Sequence, residues 1–238
     1  MIKLVGDMHM HTLASGHAYG TIREMAQAAS QAGLDIIGIT EHAPGIPGTV
    51  HPFYFTNVRA VPDVLYGVRV LHGSEINVLN DGTLSLDDRS MIQLDYAIAG
   101  IHRLCYEDAG REKNTDNLIS CMAHPKVRFV SHPDDDRTPL NYDRLTDAAL
   151  ETHTALEVNN SSLLEPWRRL NCRENYRMML GLCAAKGVPV IVNTDAHDPS
   201  AVGRFEKALE FLEAVSFPEH LILNADPDRL ITYLTEAV

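Results

Sequence analysis

Short apolar runs succeed one another along this chain, and each ends in a cluster of polar side chains. Leu4-Val5 runs into Asp7-Met8-His9-Met10-His11, Asp35–Thr40 into Glu41-His42, Val68–Gly73 into Ser74-Glu75, and Tyr96–Ile101 into His102. Arg128–Ser131 leads to His132, Ala155–Asn159 to Asn160, and Val188–Asn193 to Asp195-Ala196-His197. Apolar runs of this length, bounded by turn formers, read as strands, and His220–Leu223 is a further candidate.

Amphipathic stretches fill the intervals. Thr21-Ile22-Arg23-Glu24 has the spacing of a capping box; Ile22, Met25, Ala29 and Ala32 then share one helical face, and Gly33 ends it. Further helices are expected over Asn57–Tyr66, Thr115–Met122, Tyr142–His153, Arg173–Lys186, Arg204–Val215 and Pro227–Thr235. Strand followed by helix, many times over, implies parallel βα units and an α/β fold. The 238 residues contain no Pro/Gly/Ser-rich linker, internal repeat or low-complexity run, so one domain over 1–238 is expected. If the strands close into a barrel, their carboxyl ends converge on one rim, which is where such folds place their active sites.

The charge balance restricts the partners. With 32 acidic against 20 basic residues the formal charge is −12, and no basic stripe interleaved with aromatics is present, so a nucleic-acid partner is not expected. Lys3 and Asp7 interrupt the N-terminus before a secretory apolar region or a membrane span can be drawn, so a cytoplasmic protein without a membrane partner is expected. Cys105, Cys121, Cys172 and Cys183 have no CxxC spacing and suit reduced thiols.

The rim clusters carry the chemistry. In an extended segment His9 and His11 point the same way, with Asp7 on the same face, and can hold one ion. Glu75 emerges from an apolar run into a loop, and its two oxygens allow it to bridge two cations. Any one such histidine is usually a capping or loop residue; several in register along one βα succession are not. The remaining candidates take plainer readings. His72 is read as core, and His124, His153 and His220 as structural. The segment of His51, Phe53, Tyr54 and Phe55 is either an entrance lid or a hydrophobic plug. Asp134-Asp135-Asp136 is read as a solvated turn, with contact to the ligands or the substrate as the alternative because it follows His132. Asn159 and Asn160 either bond ligands and substrate or satisfy loop backbone.

Asp7-Met8-His9-Met10-His11-Thr12, Thr40-Glu41-His42, Gly73-Ser74-Glu75, Gly100-Ile101-His102, Ser131-His132-Pro133 and Asp195-Ala196-His197 together resemble the motif set of the PHP domain family, named for polymerases and histidinol phosphatases. With Glu157-Val158-Asn159-Asn160-Ser161-Ser162, the early His17 and the compact length, the chain is most similar to the stand-alone bacterial phosphatases of that family. Glu41 departs from the pattern, which often has aspartate there; His42 is the ligand, so little effect is expected.

The resemblance implies a distorted seven-stranded (β/α) TIM-like barrel holding three divalent ions, usually zinc, with manganese or iron as alternatives. His9, His11, Glu75 and Asp195 would surround the first ion. Glu75 would bridge to a second held also by His102 and His132, and His17, His42 and His197 would hold the third. The implied reaction is hydrolysis of a small phosphomonoester by a metal-bridged hydroxide, with Glu75, Asp195 and His102 as the catalytic residues. Rival readings are a phosphodiesterase or exonuclease, a histidinol-phosphate phosphatase, an amidohydrolase-like carbonyl hydrolase, and a metal-binding protein without turnover. The apolar content of the helices suits a homo-oligomer.

Overall fold

A computed structural model describes residues 2–236. Its strands are β1 (Gly6–Asp7), β2 (Ile36–His42), β3 (Val64–Leu65), β4 (Val68–Asn77), β5 (Ala97–Gly100), β6 (Val127–Val130), β7 (Ala155–Asn159) and β8 (Val190–Asn193). Seven of them form one parallel sheet in the order β1-β2-β4-β5-β6-β7-β8, and β3 pairs antiparallel with β4. Order in the sheet follows order in the chain, as repeated right-handed βα crossovers dictate, and the sheet curls into a nearly closed barrel.

The seam between β1 and β8 is closed by a side chain as well as by backbone. Met10 bridges Ala196, and the buried Asn224 amide lies between the edges: its nitrogen donates to the carbonyls of Gly6 (2.8 Å) and Val192 (2.6 Å), and its oxygen accepts from Val192 N (3.1 Å). This asparagine acts as a missing stretch of strand. The segment around it, His220–Leu223, forms no strand; it makes 3₁₀ turns with a single bridge from Ile222 to Val190.

The helices are α1 (Ile22–Gln31), α2 (Asp88–Met91), α3 (Arg111–Met122), α4 (Tyr142–Glu151), α5 (Asn160–Leu164), α6 (Cys172–Lys186), α7 (Glu206–Ala214) and α8 (Pro227–Thr235). The Thr21/Glu24 capping box that opens α1 is present in both directions. The expected helix over Asn57–Tyr66 is absent. A 3₁₀ helix covers Pro52–Ala60 instead, and β3 follows, because Pro62 drives Val61 into the extended region (φ −85°, ψ 137°).

Alternation along the strands divides the core in two. Met8, Ile36, Leu71, Tyr96, Ile98, Phe129 and Ile191 fill the barrel interior, while Ile37, Ile39, Val70, Leu156 and Val192 pack outward with the helices. Tyr96 lies across the interior and donates to the Met8 carbonyl at 2.6 Å. Gly38 makes room for it, since a methyl built there would fall on the Tyr96 hydroxyl. This packed layer is the floor of the site. Phe55 is fully buried in the outer core, so the Pro52 segment is a plug and lines no part of the rim cleft. Among the described residues no helix is long and apolar enough to cross a membrane.

Candidate metal centre

His9 and His11 leave β1 with their Nε2 atoms 3.2 Å apart. Asp195 Oδ1, from the loop after β8, lies 3.5 and 3.2 Å from the two nitrogens, and Glu75 Oε2, near the end of β4, lies 3.3 and 3.5 Å from them. Donors around one ion at roughly 2.1 Å in a tetrahedral arrangement are about 3.4 Å apart, so these four atoms have the spacing of a ligand set. Glu75 Oε1 turns the other way, 3.1 Å from His102 Nε2 and 2.9 Å from His132 Nε2. A third grouping joins His17 Nε2 to His197 Nε2 at 3.2 Å, with the His42 ring stacked on His17. His42 Nδ1 sits 3.0 Å from Glu75 Oε2 and connects this grouping to the others. The donor atoms of His9, His11 and Asp195, of His42, Glu75 and His102, and of His11, His42 and His197 each converge within 4.8 Å. All nine residues expected at the site therefore come together at the carboxyl rim.

The two Nε2–Nε2 contacts have hydrogen-bond geometry, whereas other donor atoms of the cluster face one another unbonded. His42 Nδ1, Glu75 Oε2 and His102 Nε2 are buried and have no hydrogen-bond partner among the described residues, although each has a neighbour at about the right distance. Buried polar atoms that face one another unbonded are costly unless a cation sits between them. An imidazole and carboxylate donor set of this density fits zinc or a similar borderline ion.

A second layer aims the rings. His9 Nδ1 donates to Glu157 (2.7 Å), His102 Nδ1 to the Asn77 side chain (2.7 Å), His17 Nδ1 to the Ser15 carbonyl (3.0 Å), and His197 Nδ1 to the Asp195 carbonyl (2.9 Å). His11 Nδ1 donates to Ser15 Oγ (3.0 Å), which donates in turn to Glu41 (2.6 Å). Each of these bonds fixes the tautomer and leaves Nε2 with a free lone pair toward the centre. His132 (φ 28°) and Asp195 (φ 54°) both hold left-handed backbone, a strain of order 1–3 kcal/mol of the kind that accumulates where side chains must be aimed.

Burial alone would raise the pKa of Glu75, but His102, His9 and His132 more than offset it and hold the carboxyl well below its usual value. Burial opposes ionisation of Asp195 likewise, and His9, His11 and His197 hold it well below as well. Burial would lower the pKa of His9, yet Glu157, Glu75 and Asp195 push it well above. His11 is driven well below its usual value by burial and by His42. Ionised carboxylates thus stand in a dry pocket that calls for positive charge.

Several residues differ from their sequence readings. Asp7 does not share the face of His9 and His11; it accepts from Thr194 N (3.1 Å), Thr194 Oγ1 (2.5 Å) and Gly203 N (3.2 Å), and so ties β1 to the loop after β8. Glu41 anchors the first loop, accepting from Thr12 N, Thr12 Oγ1 and Ser15 Oγ. Asn159 bonds Glu157 and Asp195, and Asn160 accepts from Ala208 N. His72 is buried core, as expected. Asp134-Asp135-Asp136 is not a solvated turn: Asp134 is fully buried, and all three reach the 168–175 stretch. Sequence reasoning gave Glu157 no role of its own, although an acid inside the apolar run Ala155–Asn159 signals a buried partner.

The cleft over the centre has a volume of about 1050 Å³, and Arg103, Arg137, Arg168, Arg169 and Arg204 line it. Asp134, Asp135, Asp195, Asp198 and Glu206 line it as well, so its wall mixes both charges. Fold and site together define a parallel α/β barrel with a metal-binding centre on its carboxyl rim.

The chain belongs to the PHP domain family, whose model matches residues 7–161. A protein of Clostridium acetobutylicum named a probable phosphatase is 37% identical over 98% of this chain and 95% of its own length. One of Clostridium novyi with the same name is 38% identical with the same coverage. Among solved structures, histidinol phosphate phosphatase from Lactococcus lactis, complexed with zinc, L-histidinol and phosphate, superposes with a TM-score of 0.60. It covers 90% of this chain and 94% of that one, and at 17% identity the likeness is one of fold.

Proposed function

We propose that the protein hydrolyses a small phosphomonoester at a centre of three divalent ions, with zinc the first expectation and manganese or iron the alternatives. One observation carries the reading. Glu75 directs its two oxygens at different histidine sets, Oε2 toward His9, His11 and His42, and Oε1 toward His102 and His132, as a bridging carboxylate must. The assignment that follows gives His9, His11, Glu75 and Asp195 to one ion, Glu75, His102 and His132 to a second, and His17, His42 and His197 to a third. The family and the names of its near-full-length relatives support a phosphatase.

Bound there, divalent ions would supply a water acidified to near neutrality and neutralise the charge on the phosphoryl oxygens. The chain's own residues do the rest. Glu157, Asn77, Ser15 and the backbone of residues 15 and 195 hold the tautomers of His9, His102, His11, His17 and His197. Asn159 donates to Asp195 Oδ2 (3.2 Å) and keeps Oδ1 turned to His9 and His11. Tyr96 and the packed barrel floor exclude water from beneath, which strengthens every charge interaction above it. The cleft arginines stand among as many acidic side chains, so bound cations would supply the positive charge that draws an anionic substrate to a −12 chain.

The test is phosphate release from a panel of monoesters, with bis(p-nitrophenyl) phosphate as the diester control, in zinc, manganese and chelator. Metal-dependent release from monoesters is expected. Preference for the diester, or no release with metals verified as bound, overturns the reading.

A further inference from the structure

Two of the cleft arginines, Arg137 and Arg169, are held on one wall by the aspartate run, and Arg168 stands beside them. Asp134 lies 3.5 Å from the Arg169 guanidinium. Asp135 accepts from Leu170 N (2.9 Å) and from Arg137 (3.1 Å), and Arg137 also donates to the Arg168 carbonyl (2.5 Å). Asp136 accepts from the amides of Asn171 (2.7 Å) and Asn175 (3.0 Å). The turn after β6 and the segment before α6 are thereby laced together, and their guanidinium groups share the cleft.

Arg169 is the informative member. Its side chain is only 23% exposed, yet among the described residues it makes no hydrogen bond, and both oxygens of its neighbour Asp134 also lack a partner. A guanidinium has five donors, and Asp134, 3.5 Å from one of them, leaves the others open to a further anion. Burial opposes its charge, but Asp134, then Asp195 and Glu75, keep its pKa above the ordinary value, so it stands within the field of the centre. Arg168 is more open, at 68% exposure, and pairs with Glu165 at 2.6 Å on the rim.

We propose that Arg137, Arg168 and Arg169 form a subsite for a second anionic group, a phosphate or a carboxylate, on the leaving-group half of the phosphoester. The proposal rests on the phosphatase reading and deepens it. Each guanidinium has a carboxylate neighbour, Asp135, Glu165 or Asp134, that takes only part of its donor fork, so donors remain for an anion beyond the phosphoryl group that the cations would hold. The cleft, at about 1050 Å³, stands at the top of the roughly 300–1,000 Å³ range of small-molecule sites, far larger than one phosphoryl group. Guanidinium groups bind phosphate and carboxylate bidentately, which gives the second anion a fixed orientation.

Matched substrates test this. For the carboxylate arm, kcat/KM for 3-phosphoglycerate is compared with glycerol 3-phosphate; for the phosphate arm, fructose 1,6-bisphosphate with fructose 6-phosphate. The zinc-loaded protein should favour the member with the second anionic group in at least one pair by about tenfold or more, and the pair identifies the anion. That ratio should collapse toward one in Arg137→Ala and in Arg168→Ala, the latter an open rim residue whose loss leaves the fold intact. Arg144→Ala, paired with Glu112 and Asp116 on α4 outside the cleft, should leave it unchanged. A ratio near one in the parent protein for both pairs, or equal losses on both members in the variants, overturns the subsite. Calorimetric titration of the same pairs into zinc-loaded His102→Ala reads the subsite without turnover. Tighter binding there of the member with the second anionic group, with no hydrolysis by the parent protein, sinks the phosphatase reading and keeps the subsite; equal binding sinks the subsite.

Discussion

The Glu157 carboxylate meets His9 Nδ1 at 2.7 Å, and both side chains are wholly buried. Its other oxygen accepts from His132 N (2.8 Å) and Asn159 (3.1 Å), so one acid aims ligands of two groupings. Glutamine in its place would turn an amide NH₂ against at least one of these donors. Glu157→Gln should lower metal affinity by about 10–100-fold, the usual cost of losing such a partner. Zinc retention in competition with a chelator of known affinity measures it; unchanged retention would show that His9 is aimed by packing alone.

Asp195→Ala removes an oxygen lying within 3.5 Å of both His9 and His11. Turnover should fall below detection while far-UV and near-UV circular dichroism stay native. A variant that fails to fold would assign the cluster a mainly structural role.

Metal removal should destabilise the fold, because His42 Nδ1, Glu75 Oε2 and His102 Nε2 are then buried without a partner. Ions present at about 1,000 times their dissociation constant contribute about 4 kcal/mol, which for a chain of this size is about 10 °C in Tm. Calorimetry with and without chelator reads the shift. An unchanged Tm contradicts a site that binds its ions tightly.

Gly38→Ala should cost about 3 kcal/mol or more, since the added methyl displaces the Tyr96 hydroxyl from its bond to the Met8 carbonyl. Urea unfolding measures the loss. A change under 0.5 kcal/mol, the usual range for a neutral surface substitution, would mean the barrel floor repacks freely.

How far the chain could be read in advance follows from which forces act locally. His9, His11, Glu41-His42, Glu75, His102, His132 and Asp195-Ala196-His197 each end an apolar run, and a parallel barrel gathers such ends on one rim, so their meeting was legible in the sequence; His17 ends no such run and was placed only by the family resemblance. The α1 capping box was legible for the same reason, being settled within four residues. Asn224 was not, because its amide replaces strand hydrogen bonds between segments that only the closed barrel brings together. The aspartate run looked like a solvated turn because its partners lie more than thirty residues away, at Arg169, Leu170 and Asn171. Pro62 carried the signal against a helix through Asn57–Tyr66, and the apolar spacing there masked it.

The central claim is that turnover depends on a three-ion centre bridged by Glu75. Metal-free protein titrated with zinc, with phosphate release from a monoester followed at each addition, tests it most directly. The account predicts that activity rises with added zinc and saturates at three equivalents per chain. Saturation at one equivalent, or release that persists in excess chelator, would contradict it.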